Sequence, residues 1–306
     1  MEPIHLTKLD ILLAGDTKRF SRADEVSGLL QITIKGPLML SAVTIGLVCM
    51  AECRWVENPG TRYHREGHVY HNKRKLLDYT YQIPGKYADN CLSPGDHVIP
   101  FMFKLPEKDI PSSFESTHGS VTYFVEAVID EPAINEVHRI GYPIVVEAPI
   151  INNLNLSVGG SSEKDLSVIN LASGHITLIA NVTKKGFLSG ELVEVHVTVD
   201  NKSSVDVTPR ATLYQTQVYM CGERHKGLEV PLTNPLVGTL VSAESSNDEI
   251  IYLRMPAEAS LSIKSPIITI KYFIHVTLDI PHAIDLHVNL PIIVTTGSAF
   301  NLSNND

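Results

Sequence analysis

The strongest constraint in this chain of 306 residues is a period of two. Val193, Val195, Val197 and Val199 alternate with Glu194, His196 and Thr198. Ile268, Ile270, Tyr272, Ile274, Val276 and Leu278 alternate with Thr269, Lys271, His275 and Thr277, broken only by Phe273. The first half repeats the habit at Phe101, Phe103 and Leu105, and again at Val121, Tyr123, Val125, Ala127 and Ile129. Successive side chains on a strand point to opposite faces, so each run predicts one face on a core and the other in water. Val and Ile at 28 each, with Thr at 20, make up about a quarter of the chain, and β-branched residues favour sheet. No long stretch shows a 3.6-residue period. The expected fold class is all-β: antiparallel sandwiches, with helix a minor part.

Two such sandwiches are expected in tandem. Asn152 to Ser173 is rich in Asn, Ser and Gly, with Gly159-Gly160-Ser161-Ser162 at its centre, a composition that reads as a connector. The halves on either side resemble each other. Tyr123 is followed by Asp130 at +7 and Pro132 at +9, and Tyr272 by Asp279 at +7 and Pro281 at +9. Ser27-Gly28 and Ser189-Gly190 each open a β-rich run, and Leu105-Pro106 and Met255-Pro256 precede their tyrosines at nearly equal distance. The repeat predicts one topology used twice. The expected boundaries are residues 1–151 for the first sandwich, 152–173 for the linker, 174–296 for the second, and 297–306 for a short tail.

Lys and Arg total 25 against 34 Asp and Glu, a net charge of −9. Neither half is basic, which argues against nucleic acid as a partner. Met1-Glu2-Pro3-Ile4-His5 lacks a basic region followed by an apolar core, so no secretory signal is expected. The longest apolar stretch, Leu38 to Ala51, is too short to span a bilayer. Four cysteines, Cys49, Cys53, Cys91 and Cys221, are too few and too irregular for a disulfide framework or zinc cage and are expected as free thiols.

Catalytic signatures are missing. There is no G-x-G-x-x-G, phosphate loop, H-E-x-x-H or G-x-S-x-G, so no enzyme and no cofactor are expected. His64, His68 and His71 form the one histidine-rich stretch, but Gly67 lies inside it, and it reads as an exposed hairpin connection rather than a metal site. Lys73-Arg74-Lys75 reads as solubilising loop charge, with a weak contact to acidic headgroups or phosphate as the alternative. Cys49 and Cys53, four apart on a strand, share a face but stand beyond disulfide reach. What remains is a recognition scaffold, working through loops at the sheet ends and through strand edges that can accept an added strand.

One long motif is more specific. Cys91-Leu-Ser-Pro-Gly95-Asp-His-Val-Ile-Pro100-Phe-Met-Phe-Lys-Leu-Pro106, followed by Ile110-Pro-Ser-Ser-Phe-Glu115-Ser-Thr-His-Gly119-Ser-Val-Thr-Tyr123, resembles the arrestin fold family, and within it the α-arrestins, or arrestin domain-containing proteins. In the second half Lys184-Lys-Gly186-Phe-Leu-Ser-Gly190-Glu, Val199-Asp-Asn201 and Leu290-Pro291-Ile292-Ile293 resemble an arrestin C-domain.

The resemblance implies immunoglobulin-like sandwiches and an adaptor that couples membrane cargo, receptors and transporters among them, to HECT-type ubiquitin ligases, and so to endocytosis and trafficking. It implies a cytoplasmic location, at the plasma membrane or endosomes, with peripheral membrane contact. A retromer-subunit-like sorting component is the alternative within the same fold. The family's ligase contact is a PPxY motif, and this sequence has no Pro-Pro dipeptide. Another ligase contact, a short isoform, and a purely cargo-binding or dimerising module all stay open. The thioredoxin-binding role in the family needs a cysteine in the loop that corresponds to Val241-Ser-Ala-Glu-Ser245, where none stands. Receptor-type arrestins sense phosphate with basic residues near the first strand. The candidates by position are Lys8, Lys18, Arg19 and Arg22, among acidic neighbours Asp10, Asp16, Asp24 and Glu25.

Overall fold

The computed structural model describes residues 6–15, 18–35, 38–39, 42–57, 67–83, 91–131, 136–166 and 173–303. The chain divides into two compact units, Met1–Ala148 and Pro149–Asp306. Each is a β-sandwich.

The first unit runs β1 (Leu6–Leu13), β2 (Arg19–Ser21), β3 (Glu25–Ile34), β4 (Leu38–Met39), β5 (Ala42–Glu57), β6 (His68–Gln82), β7 (Cys91–Leu92), β8 (Gly95–Lys104), β9 (Phe114–Glu115), β10 (Gly119–Glu131) and β11 (Glu136–Glu147). One sheet has the order β1-β3-β8 and the other β2-β11-β10-β5-β6, with β9 on β10 and a small β4-β7 pair. Pairing is antiparallel except where β2 lies parallel to β11. The period of two is realised in the burial: Val121, Tyr123, Val125, Ala127 and Ile129 of β10 are buried, as are Val26, Leu30, Ile32 and Ile34 of β3 and Phe101 and Phe103 of β8. Each fully buried aliphatic side chain stabilises the unit by about 1.5–3 kcal/mol relative to exposure, so the inward stripes carry the fold.

The second unit runs β12 (Val158–Leu166), β13 (Gly174–Val182), β14 (Gly186–Leu188), β15 (Leu192–Ser203), β16 (Thr208–Cys221), β17 (Arg224–Pro231), β18 (Leu236–Val237), β19 (Ser245–Arg254), β20 (Ile263–Lys264), β21 (Ile268–Asp279), β22 (Leu286–Thr295) and a short helix α1 (Gly297–Ser303). Its sheets are β12-β13-β15-β19 and β14-β22-β21-β16-β17, with β18 on β16 and β20 on β21. Here β14 lies parallel to β22, as β2 does to β11. The inward stripes are Val193 to Val199 on β15 and Ile268 to Leu278 on β21, all buried at alternate positions.

The repeat extends to single hydrogen bonds. Tyr123 donates its hydroxyl to the Pro111 carbonyl at 2.7 Å, and Tyr272 donates to the Ser260 carbonyl at 2.7 Å, each reaching twelve residues back. Ser113 and Val146 exchange bonds, backbone N–H to carbonyl at 2.8 Å and backbone N–H to Oγ at 2.9 Å. Ser262 and Val294 do the same, both at 2.9 Å. Asp24 accepts the Ser21 N–H, and Glu191 accepts the Leu188 N–H. In both turns the residue before the acid has positive φ, Ala23 at 64° and Gly190 at 78°.

Two expectations are corrected. The stretch 152–173 is not a plain connector, because Val158–Leu166 forms β12, paired along its whole length with β13. Its glycines serve close packing: a Cβ at Gly160 would stand 3.0 Å from Val288. The segment of His68, His71 and Lys73-Arg74-Lys75 is not a loop but the body of β6, an edge strand on β5. Its charge is what an exposed edge carries to resist association with other strands. The tail expected at 297–306 begins as helix α1, which buries Ala299 and brings the Phe300 ring within 5.0 Å of Lys184 Nζ.

Candidate interaction site

The basic residues singled out near the first strand are not gathered at one point. Lys8 lies on β1 and donates to Gln31 Oε1 across the strand pair at 2.8 Å. Lys18 precedes β2 and Arg19 opens it, on the strand that forms the edge of the other sheet. Lys18 Nζ sits 5.1 Å from the centre of the Tyr142 ring. Arg19 pairs with Glu147 at 2.7 Å, its side chain 72% exposed. Such an exposed pair is worth under about 1 kcal/mol, so an anion can compete for Arg19. Arg22 differs. It donates to the Ala148 carbonyl at 3.1 Å, and its Nε is buried without a hydrogen-bond partner among the described residues. Burial lowers its pKa, with Tyr123 and Asp109 acting in the opposite direction. Its guanidinium ties the β2–β3 turn to the end of the unit.

Of the histidine-rich stretch, His64 lies outside the described residues. His68 stands edge-on to Tyr70 at 4.5 Å, and His71 Nε2 is 2.8 Å from Glu52 Oε1, with Lys73 at 3.4 Å from the same carboxylate. The His71 hydrogen bond is the largest influence holding the Glu52 carboxyl below its usual range. Three residues apart on a strand, His68 and His71 point to opposite faces and cannot share a metal. Among the described residues no group of three or more His, Cys, Asp or Glu is placed to hold a metal ion.

Cys49 and Cys53 are buried on β5, and neither is in a disulfide. Burial pushes the Cys49 thiol up to about 12, against a hydrogen bond with Tyr123 that lowers it. A thiol held protonated is a poor nucleophile, so Cys49 packs rather than reacts.

What the units present outward is strand edge and sheet face. In the first unit β1 and β8 end one sheet and β2 and β6 the other; in the second, β12 and β19 end one and β14 and β17 the other. The outward stripes also carry apolar groups, with Met102, Val98 and Tyr252 each more than half exposed. Sequence reading missed Ser113 and Ser262, the backbone clips at the parallel edge strands. Their signal was available, since each stands ten residues before its tyrosine.

Two sandwiches of one topology, clipped alike and presenting faces and edges, define a two-domain recognition scaffold. Family comparison is specific. The arrestin (or S-antigen) N-terminal domain matches residues 9–151 and the arrestin C-terminal domain matches residues 172–298. The chain belongs to the arrestin family, on its α-arrestin, or arrestin domain-containing, branch. Mouse arrestin domain-containing protein 4 is 24% identical over 291 residues, covering 90% of this chain and 68% of the relative. The human form is 26% identical over 212 residues, covering 67% of this chain and 50% of the relative. Pig thioredoxin-interacting protein is 21% identical over 301 residues, covering 97% of this chain and 76% of the relative. The chain thus spans between half and three quarters of these relatives' length.

Proposed function

We propose that this protein is a non-enzymatic adaptor that holds membrane-protein cargo and links it to ubiquitination, endocytosis and trafficking machinery. The observation that carries the reading is the match of both arrestin domains, in order, across nearly the whole chain. The architecture supports it. Outward strand edges in the first unit can take an extended cargo segment by main-chain hydrogen bonding. Lys8, Lys18 and Arg19 stand near two of those edges, where they can meet a phosphorylated or acidic tail. The ligase arm of the function is a HECT-type enzyme; the 306 residues of this sequence carry no PPxY motif, so its contact is left unassigned. The working location is the cytoplasmic face of the plasma membrane or endosomes.

Proximity labelling with the full chain in cells tests this. The expected result is recovery of membrane receptors or transporters together with endosomal proteins. Recovery of soluble metabolic enzymes alone would contradict it.

A further inference from the structure

The outward face of the sheet β12-β13-β15-β19 differs chemically from its counterpart in the first unit. Register fixes the neighbours on this face. His196 on β15 lies between Asn181 on β13 and Ile250 on β19, Glu194 lies opposite Tyr252, and Thr198 lies between Ile179 and Asp248. Tyr252, Ile250, Ile179 and Leu192 are all more than a third exposed. Asn181, His196, Thr198, Asp248 and Ile250 line a depression of about 280 Å³. His196 Nε2 is buried beneath the face and has no hydrogen-bond partner among the described residues.

Charge on the face is unbalanced where the depression lies. Glu194 and Asp248, on either side of the His196–Ile250 pair, have no ion-pair partner among the described residues. Farther along, Asp200 is neutralised by Lys202 at 2.7 Å. At the other end Arg254 is drawn to the Gly190 carbonyl at 3.0 Å. The repeat supplies a comparison. Counting from the matched acids Asp24 and Glu191 and the matched strand ends Leu105 and Met255, His196 corresponds to Leu29 and Asp248 to Val98. Asn181 corresponds to Leu12, the residue paired with Leu29. The first unit is apolar at the three places where the second offers two hydrogen-bonding groups and a carboxylate.

We propose that this face of the second unit is a docking surface for an extended basic segment of a partner protein. A Lys or Arg side chain enters the depression, donates to Asp248 and Asn181 Oδ1, and lies between the two free carboxylates. The apolar residues flanking it rest on Tyr252 and Ile250. Charge complementarity selects a basic rather than an acidic occupant, and the aromatic and aliphatic groups beside the depression supply apolar contact. This assignment is independent of where membrane cargo binds.

The test uses the full chain and two labelled heptapeptides, one alternating arginine with leucine and the other glutamate with leucine, followed by fluorescence anisotropy. The arginine peptide is expected to bind and the glutamate peptide not. Glu194→Gln with Asp248→Asn should weaken binding about tenfold, the scale of two lost charge-assisted contacts at a surface. Met102→Gln, at the position in the first unit that matches Tyr252, should leave it unchanged. Hydrogen exchange on the unmutated chain, which does not depend on the variants folding, should show the arginine peptide protecting residues 192–198 and 248–254. Equal binding of both peptides, no binding of either, full affinity in the double variant, or protection elsewhere would overturn the assignment.

Discussion

Tyr123 and Tyr272 anchor the same twelve-residue reach in the two units, and the groups around them give the fold its response to alkali. Cys49, beside Tyr123, is pushed up to about 12 from an ordinary 9.0 by burial, and Tyr272 to about 12 from 10.0 by burial. Below pH 9 both groups are protonated whether the chain is folded or not. Above it the unfolded chain releases first the cysteine and then the tyrosine proton, while the folded chain keeps both until about pH 12. The unfolded state then binds fewer protons, so stability is lost as pH rises through that window, by up to about 1.4 kcal/mol per pH unit for each group. Urea unfolding at a series of pH values should show the decline, and Cys49→Ala should make it shallower. The two acid-bearing turns make a second prediction. Gly190 and Ala23 share a left-handed backbone, which costs a residue with a Cβ about 1 kcal/mol or more, and nothing lies within 4 Å of a Cβ at Gly190. Gly190→Ala should destabilise by about 1 kcal/mol, and Ala23→Gly should act in the opposite direction, each read from the urea midpoint.

At the scale of elements, the strands that announce themselves in sequence are those with one face buried and one wet. The Val193–Val199 and Val121–Ile129 runs alternate cleanly because β15 and β10 sit inside their sheets, each paired on both sides. The two strands misread as loop and connector, β6 and β12, are edges. β6 is polar over most of its length because its job at the border of the sheet is to stay soluble, and that composition reads as loop. β12 escaped for a different reason. Glycine normally weakens a strand, but it also marks close approach, and in Gly160 that approach is to Val288 of the opposite sheet. Gly160→Val should therefore destabilise by about 1–3 kcal/mol through overpacking, where a true connector would tolerate it. Thermal unfolding of the two proteins decides between them.

At the scale of the whole molecule, the repeat was legible in two tyrosines and their Asp and Pro spacings because those residues close backbone structure, which tolerates little change of distance. The interaction surface was much less legible. Lys8, Lys18, Arg19 and Arg22 look alike as letters, yet Arg22 is half-buried on the Ala148 carbonyl while Arg19 is open to solvent. His196 looked like one more outward residue in a valine run until the strands on either side set Asn181 and Ile250 beside it. Pairing between distant strands creates such sites, and a single sequence does not display it. Two sandwiches built to one plan are thus expected to divide labour by surface chemistry. Hydrogen–deuterium exchange of the full chain with the cytoplasmic tail of a membrane protein recovered by proximity labelling tests that most directly. Slowed exchange within residues 1–148 is the predicted outcome, and slowing confined to residues 149–306 would contradict the account.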